Sequence, residues 1–113
     1  MANHRRGEIE AILGGRPFRL CLTLGALAEL EDAFAAQNLV ALMAHFESGT
    51  LSARDLLRVI AIGIRAGGQA LSDDEVAALS CEEGLAGYVA ITADLLAATF
   101  GGADARPQMP QGQ

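Results

Sequence analysis

The sequence predicts an α+β fold, mainly α, in which an N-terminal β-hairpin packs on a compact group of four to five helices. Three observations carry that expectation. Residues 18–23 alternate, with Phe18, Leu20 and Leu22 set against Arg19, Cys21 and Thr23, the period of a half-buried strand. The pattern then turns helical without a linker, placing Leu27, Leu30 and Phe34 on one side at about 100° per residue. Two later stretches, residues 51–56 and 71–76, carry a Ser followed three residues on by Asp55 or Glu75, the chemistry of a capping box.

In chain order, residues 1–6 read as a flexible basic leader, residues 7–102 as a single globular domain and residues 103–113 as a disordered Pro- and Gln-rich tail. Residues 8–13 and 18–23 are expected to pair across Gly14-Gly15, because glycine adopts the positive φ of a tight hairpin turn at little cost. Pro17 cannot donate to a ladder and belongs at a strand start or edge. A helix capped by Thr23 begins at Leu24. Asn38 caps a second, whose face is Leu39, Leu42, Met43 and Phe46 and which Ser48-Gly49 ends. A third runs from Ala53 to about Ala66 with Leu56, Leu57, Ile60 and Ile64 inward, and Gly67-Gly68 closes it. A short helix from Asp73 turns Val76 and Leu79 inward, and a last one covers about 82–100 before Gly101-Gly102.

Composition narrows the function classes. The chain has 113 residues, enough for one modest core. Its net charge is −6 and all eight basic residues are Arg, a poor balance for gripping nucleic-acid phosphates. Residues 84–103 are long and apolar enough to raise a membrane span. However, Asp94 lies mid-segment, and the flanks carry Glu82, Glu83 and Asp104 where basic anchors would be needed. A buried helix is expected, with no membrane. The leader does not read as a signal peptide, since Arg5 and Arg6 are followed by Glu8 and Glu10. The expected setting is the bacterial cytoplasm, with Cys21 and Cys81 as free thiols.

No catalytic, cofactor or metal site is expected. His4, His45, Cys21 and Cys81 lack the short spacing of a zinc motif. His45 reads as a helix-surface residue rather than a base. No glycine pair belongs to a phosphate-binding loop, and the chain has no Lys. Asp73-Asp74-Glu75 reads as acids favoured at a helix start.

Two features are candidates for protein binding. Arg54, Arg58 and Arg65 lie within about 40° on a helical wheel. They form either a solvated stripe pairing with acids of the following helix, or a surface for an acidic partner. The last helix is apolar on two sides. Leu85, Val89, Leu96 and Phe100 make one; Tyr88, Ile91 and Leu95 make the other. It is either the central helix of the core, the stronger reading, or a cover for another chain.

Residues 3–34 resemble the opening of a small family of tail proteins from gene transfer agents and tailed phages. The pattern is Arg6-Gly7-Glu8, the Gly14-Gly15 turn, then Leu20, Leu22, Thr23, Gly25, Ala26, Leu27, Ala28, Leu30 and Glu31. Residues 64–76 are similar to the family's second half, and the likeness covers about residues 3–100. Members are described as tail-assembly chaperones or as phage tail tube proteins. The resemblance implies a non-catalytic role in building a tail, with a tape-measure or tail tube protein as partner and a homo-oligomer compatible with it. The acidic composition and the single expected hairpin favour the chaperone. The alternatives are a minor structural component retained in the particle tail and a small helical DNA-binding regulator, for which the helix bearing Arg54–Arg65 is the one applicant.

Overall fold

The computed structural model describes residues 7–100. The expected leader and tail, and the Gly101-Gly102 stop, lie outside the described residues. Strands β1 (Ile9–Leu13) and β2 (Arg16–Leu20) form an antiparallel hairpin, followed by helices α1 (Leu24–Ala33), α2 (Leu39–Glu47), α3 (Ala53–Ala66), α4 (Asp73–Ala77) and α5 (Leu85–Phe100).

The hairpin turns at Gly14 (φ 58°) and Gly15 (φ 76°), the pair of positive φ values that a two-residue loop needs to match strand twist. That loop sets the register, with Leu13 opposite Arg16 and Ile9 opposite Leu20. The second strand therefore starts directly after the turn and spans 16–20, not the expected 18–23. Pro17 sits inside β2 opposite Ile12, tolerated because both strands of a two-stranded sheet are edges. Beyond Leu20 the chain leaves the ladder, and the Cys21 N–H donates to the Gly63 carbonyl of α3 at 3.2 Å. Ile9, Ala11, Leu13, Phe18 and Leu20 all turn inward. The turn is pinned where the Gly14 N–H donates to the Ser80 carbonyl at 2.7 Å.

The helix starts follow their caps. Thr23 accepts from the Ala26 N–H, and Asn38 from the Ala41 N–H. Ser52–Asp55 and Ser72–Glu75 each close a reciprocal capping box. Each such cap is worth about 1 kcal/mol.

The central helix is α3, which corrects the stronger expectation for the last helix. Leu56 and every residue from Val59 to Ile64 are buried, and α3 packs against α1, β2, α4 and α5. By contrast, α5 buries only Gly87, Thr92 and Leu95, and it begins at Leu85 after Gly84 at φ 64° rather than at Glu82. Two side chains carry the difference. The α3 position Gly63 leaves the space that Leu95 and Leu20 fill; an added Cβ would come within 2.8 Å of Leu95 Cδ2 and 3.3 Å of Leu20 Cδ2. Leu57, expected inward, is half-buried. Among the described residues, no helix is long and apolar enough to cross a membrane.

His45 is not a plain surface residue. Its ring stacks on Phe34 at 4.9 Å and meets Phe46 at 5.8 Å, and its Nε2 stands 3.6 Å from Asp55. This closes α2 onto α1 and the start of α3. The Cys21 thiol donates to the Ala66 carbonyl at 3.3 Å. Burial, helped by Glu8, pushes that thiol above its ordinary pKa, so it is a poor nucleophile.

Candidate protein-binding groove

An apolar groove of about 340 Å³ opens between the first half of α3, the α4 turn and the start of α5. The α3 wall is Ala53, Leu56, Leu57 and Ile60; the α4 side is Val76, Ala77 and Leu79; Leu85 and Tyr88 come from α5, with Leu13 of β1 behind them. The sequence builds this locally. The Ser52 box starts α3 so that its first turns present Leu56, Leu57 and Ile60 to one side. The Ser72 box starts a helix of only five residues, too short to fill the space beside it. Tyr88 Oη donates to the Leu79 carbonyl at 2.8 Å, tying α5 to the end of α4 and leaving the ring as a wall. Leu85, 67% exposed, stands at the mouth.

Charge on the groove's elements is mixed: Arg54 is exposed on α3 beside Ala53, whereas α4 exposes Asp74 and Glu75. The segment 68–83 that forms the α4 wall carries five acids and no Arg. Asp73 is engaged by Arg65, whose Nη1 also donates to the Leu71 carbonyl, both at 2.9 Å. Asp74, Glu75, Glu82 and Glu83 are exposed, Glu82 and Glu83 in a separate hollow beside the hairpin.

The six residues singled out from the sequence do not converge. Tyr88 lines the apolar groove. Arg58 and Arg65 line a separate polar hollow with Glu29, Asp32 and Asp73. Arg65 pairs there with Asp73 of α4, and an exposed ion pair of this kind contributes at most about 1 kcal/mol. Arg54 is exposed in the first turn of α3. Ile91 lines a hollow beside the hairpin with Ile12, Gly14 and Glu83. Leu95 is fully buried in the core and offers no surface. Sequence reasoning missed Leu57 and Leu79 as groove walls, because four elements make the groove. The available signal was the apolar side of the last helix that includes Leu85, which remains uncovered at Leu85 and Val89.

Among the described residues, no group of three or more His, Cys, Asp or Glu could hold a metal ion.

A family model described as "Phage tail tube protein, GTA-gp10" matches residues 6–102. No curated protein and no solved structure matches the chain.

Proposed function

The chain belongs to the phage tail tube protein family GTA-gp10, and from that premise we propose that it is a tail-assembly chaperone, holding a tape-measure or tail tube protein before it is built into the tail. Membership of a phage tail tube protein family supports a role alongside other tail proteins.

The observation that carries the chaperone reading is the uncovered apolar groove walled by α3, α4 and α5. A holding protein needs an open apolar surface to shield that of its client, set in a charged exterior that keeps the pair dispersed. The net charge of −6 supplies the second requirement. Secondary structure supports the same reading. The described residues are 57% helical and 11% strand, with one two-stranded sheet. Tube walls are usually strand-rich, and a single hairpin offers little edge for continuing a wall.

The competing reading is a minor structural component retained in the particle tail; the family's description as a tail tube protein favours retention in the tail. Co-expression tests the holding role. The chain should raise the soluble fraction of a tape-measure or tube protein from the same particle and co-purify with it. A client that stays insoluble and uncaptured overturns the proposal.

A further inference from the structure

We infer that the outer edge of β1, with the hollow beside it, takes an extended segment of a partner protein as an added strand, a segment carrying Arg or Lys among apolar side chains. This site is separate from the groove, and the inference goes beyond the holding role without depending on it.

The ladder itself leaves this edge open. Hydrogen-bonded and non-bonded pairs alternate along an antiparallel ladder. Pro17 has no N–H, so its pair with Ile12 is of the non-bonded kind, and so is the pair of Glu10 with Arg19. The main-chain groups of these residues therefore point away from the partner strand. On the β2 side they are closed off. Pro17 has no donor, the Arg19 carbonyl lies against Gly67, and the next outward donor, the Cys21 N–H, is bonded to Gly63. On the β1 side the Gly14 N–H shares the outward direction and is taken by the Ser80 carbonyl at 2.7 Å. The N–H and C=O groups of Ile12 and Glu10 have no partner among the described residues. Ile12 is 58% exposed, and Glu10 is exposed as well. A helix has already bonded its own main chain and cannot answer free donors and acceptors at strand spacing; another extended chain can.

The hollow then selects side chains. It measures about 520 Å³ and is lined by Ile12 and the Gly14-Gly15 turn, by Ile91 of α5, and by Glu82 and Glu83. Among the described residues, no basic side chain lines it. Apolar side chains of an added strand meet Ile12 and Ile91, and basic ones meet the acids. A second copy fits badly. The bond from Gly14 to Ser80 holds the acidic loop at the turn end of β1. Antiparallel two-fold pairing of β1 with its twin brings each copy's acids to the other's Glu10, and like charges juxtaposed at an interface are strongly unfavourable. Because the β2 edge is closed, the sheet takes one strand and cannot run on through this chain as a wall.

The test uses the full chain and labelled synthetic peptides of about eight residues. One alternates Val and Arg, and one alternates Val and Glu. A third is the Val–Arg peptide N-methylated along its main chain, which keeps the side chains and removes the donors. Binding is read by fluorescence anisotropy at about 50 mM and about 500 mM salt. The Val–Arg peptide should bind at least about tenfold tighter than the Val–Glu peptide at low salt, and high salt should narrow the gap. N-methylation should abolish binding. Ile12→Pro removes an outward donor without breaking a ladder bond. It should weaken the Val–Arg peptide at least about tenfold while the circular dichroism melt stays close to the parent. Glu82→Arg combined with Glu83→Arg, at exposed loop sites, should reverse the peptide preference, and this readout and the N-methylated peptide decide the matter even where Ile12→Pro melts early. Failure of the Val–Arg peptide to bind, equal binding of the two charged peptides, full binding of the N-methylated peptide, or unchanged binding to a folded Ile12→Pro variant each overturns the inference. So does a concentration-dependent dimer that Ile12→Pro abolishes, which would assign the edge to a second copy. Capture of a co-expressed tail protein tests the holding role separately.

Discussion

Gly67, at the end of α3, lies directly against the main chain of Arg19 in β2, with no room for a side chain between them. A Cβ at Gly67 would collide with the Arg19 carbonyl oxygen and carbon. The contact is reciprocal: Arg19 donates from Nη2 and Nε to the Gly67 carbonyl at 3.2 and 3.3 Å. Since φ at Gly67 is −79°, glycine is required here by proximity and not by backbone conformation. This contact helps seat the hairpin on the central helix, and the hairpin supplies the back of the groove through Leu13.

Gly67→Ala should therefore be severe. The added methyl meets backbone, which cannot swing away as a side-chain tip could. The expected cost is about 2–3 kcal/mol, a Tm drop of roughly 10–20 °C for a domain of this size. Thermal unfolding followed by circular dichroism measures it. A melt within a few degrees of the parent would mean that β2 and α3 can separate freely.

Ala35→Gly should do the opposite. The end of α1 forms a Schellman motif, in which the Ala36 N–H donates to the Glu31 carbonyl and the Ala35 N–H to the Asp32 carbonyl. The motif places Ala35 at φ 54°, the left-handed region that costs a residue with a Cβ about 1–2 kcal/mol. Glycine removes that strain but is freer in the unfolded chain. A net gain of about 0.5–1 kcal/mol is expected, read as a higher urea midpoint at unchanged slope. An unchanged or lower midpoint contradicts the account.

Acid should weaken the fold partly through Asp55. The Ser52 backbone N–H donates to its carboxylate at 3.0 Å. That bond, with lesser help from the Ser52 hydroxyl and His45 against some burial, holds the Asp55 pKa below its ordinary value. A group with a depressed folded pKa stabilises the fold fully above its unfolded pKa of about 4, and that stability is lost as pH falls through the folded value. Asp55→Asn should therefore be less stable than the parent at pH 7 and should lose less stability below about pH 4. Parallel stability–pH curves for the two proteins would contradict the assignment.

Leu85→Asp should separate stability from capture. Leu85 is two-thirds exposed at the groove mouth, and surface changes away from special features usually stay within about 0.5 kcal/mol. Its Tm should match the parent, while co-purification of a tail protein falls. A variant that melts early would show that Leu85 supports the fold, and intact capture would move the site elsewhere.

Local chemistry was the legible part of this fold. The Thr23, Asn38, Ser52 and Ser72 caps and the Gly14-Gly15 turn are decided within a few residues, and each stands where the sequence predicted. The strand register was off at β2 because turn length, not the apolar alternation of Phe18–Leu22, sets the pairing. The central helix was not legible. Apolar content marks both α3 and α5 as buried, and only the three-dimensional fit of Leu95 and Leu20 over Gly63 separates them. His45 read as a surface residue because its partners, Phe34 and Asp55, lie on neighbouring helices. The candidate site was legible only in part. Tyr88 reached the groove, but Arg58 and Arg65 line a separate polar hollow where Arg65 pairs with Asp73, and Leu95 entered the core.

Quantitative mass spectrometry of purified, finished particles tests the central claim most directly. A chaperone acts on the tail and leaves it, so the chain should be abundant in the assembling cell and missing from particles that contain the tube and tape-measure proteins. Recovery at a fixed number of copies per particle would contradict the account and make this protein a built-in part of the tail.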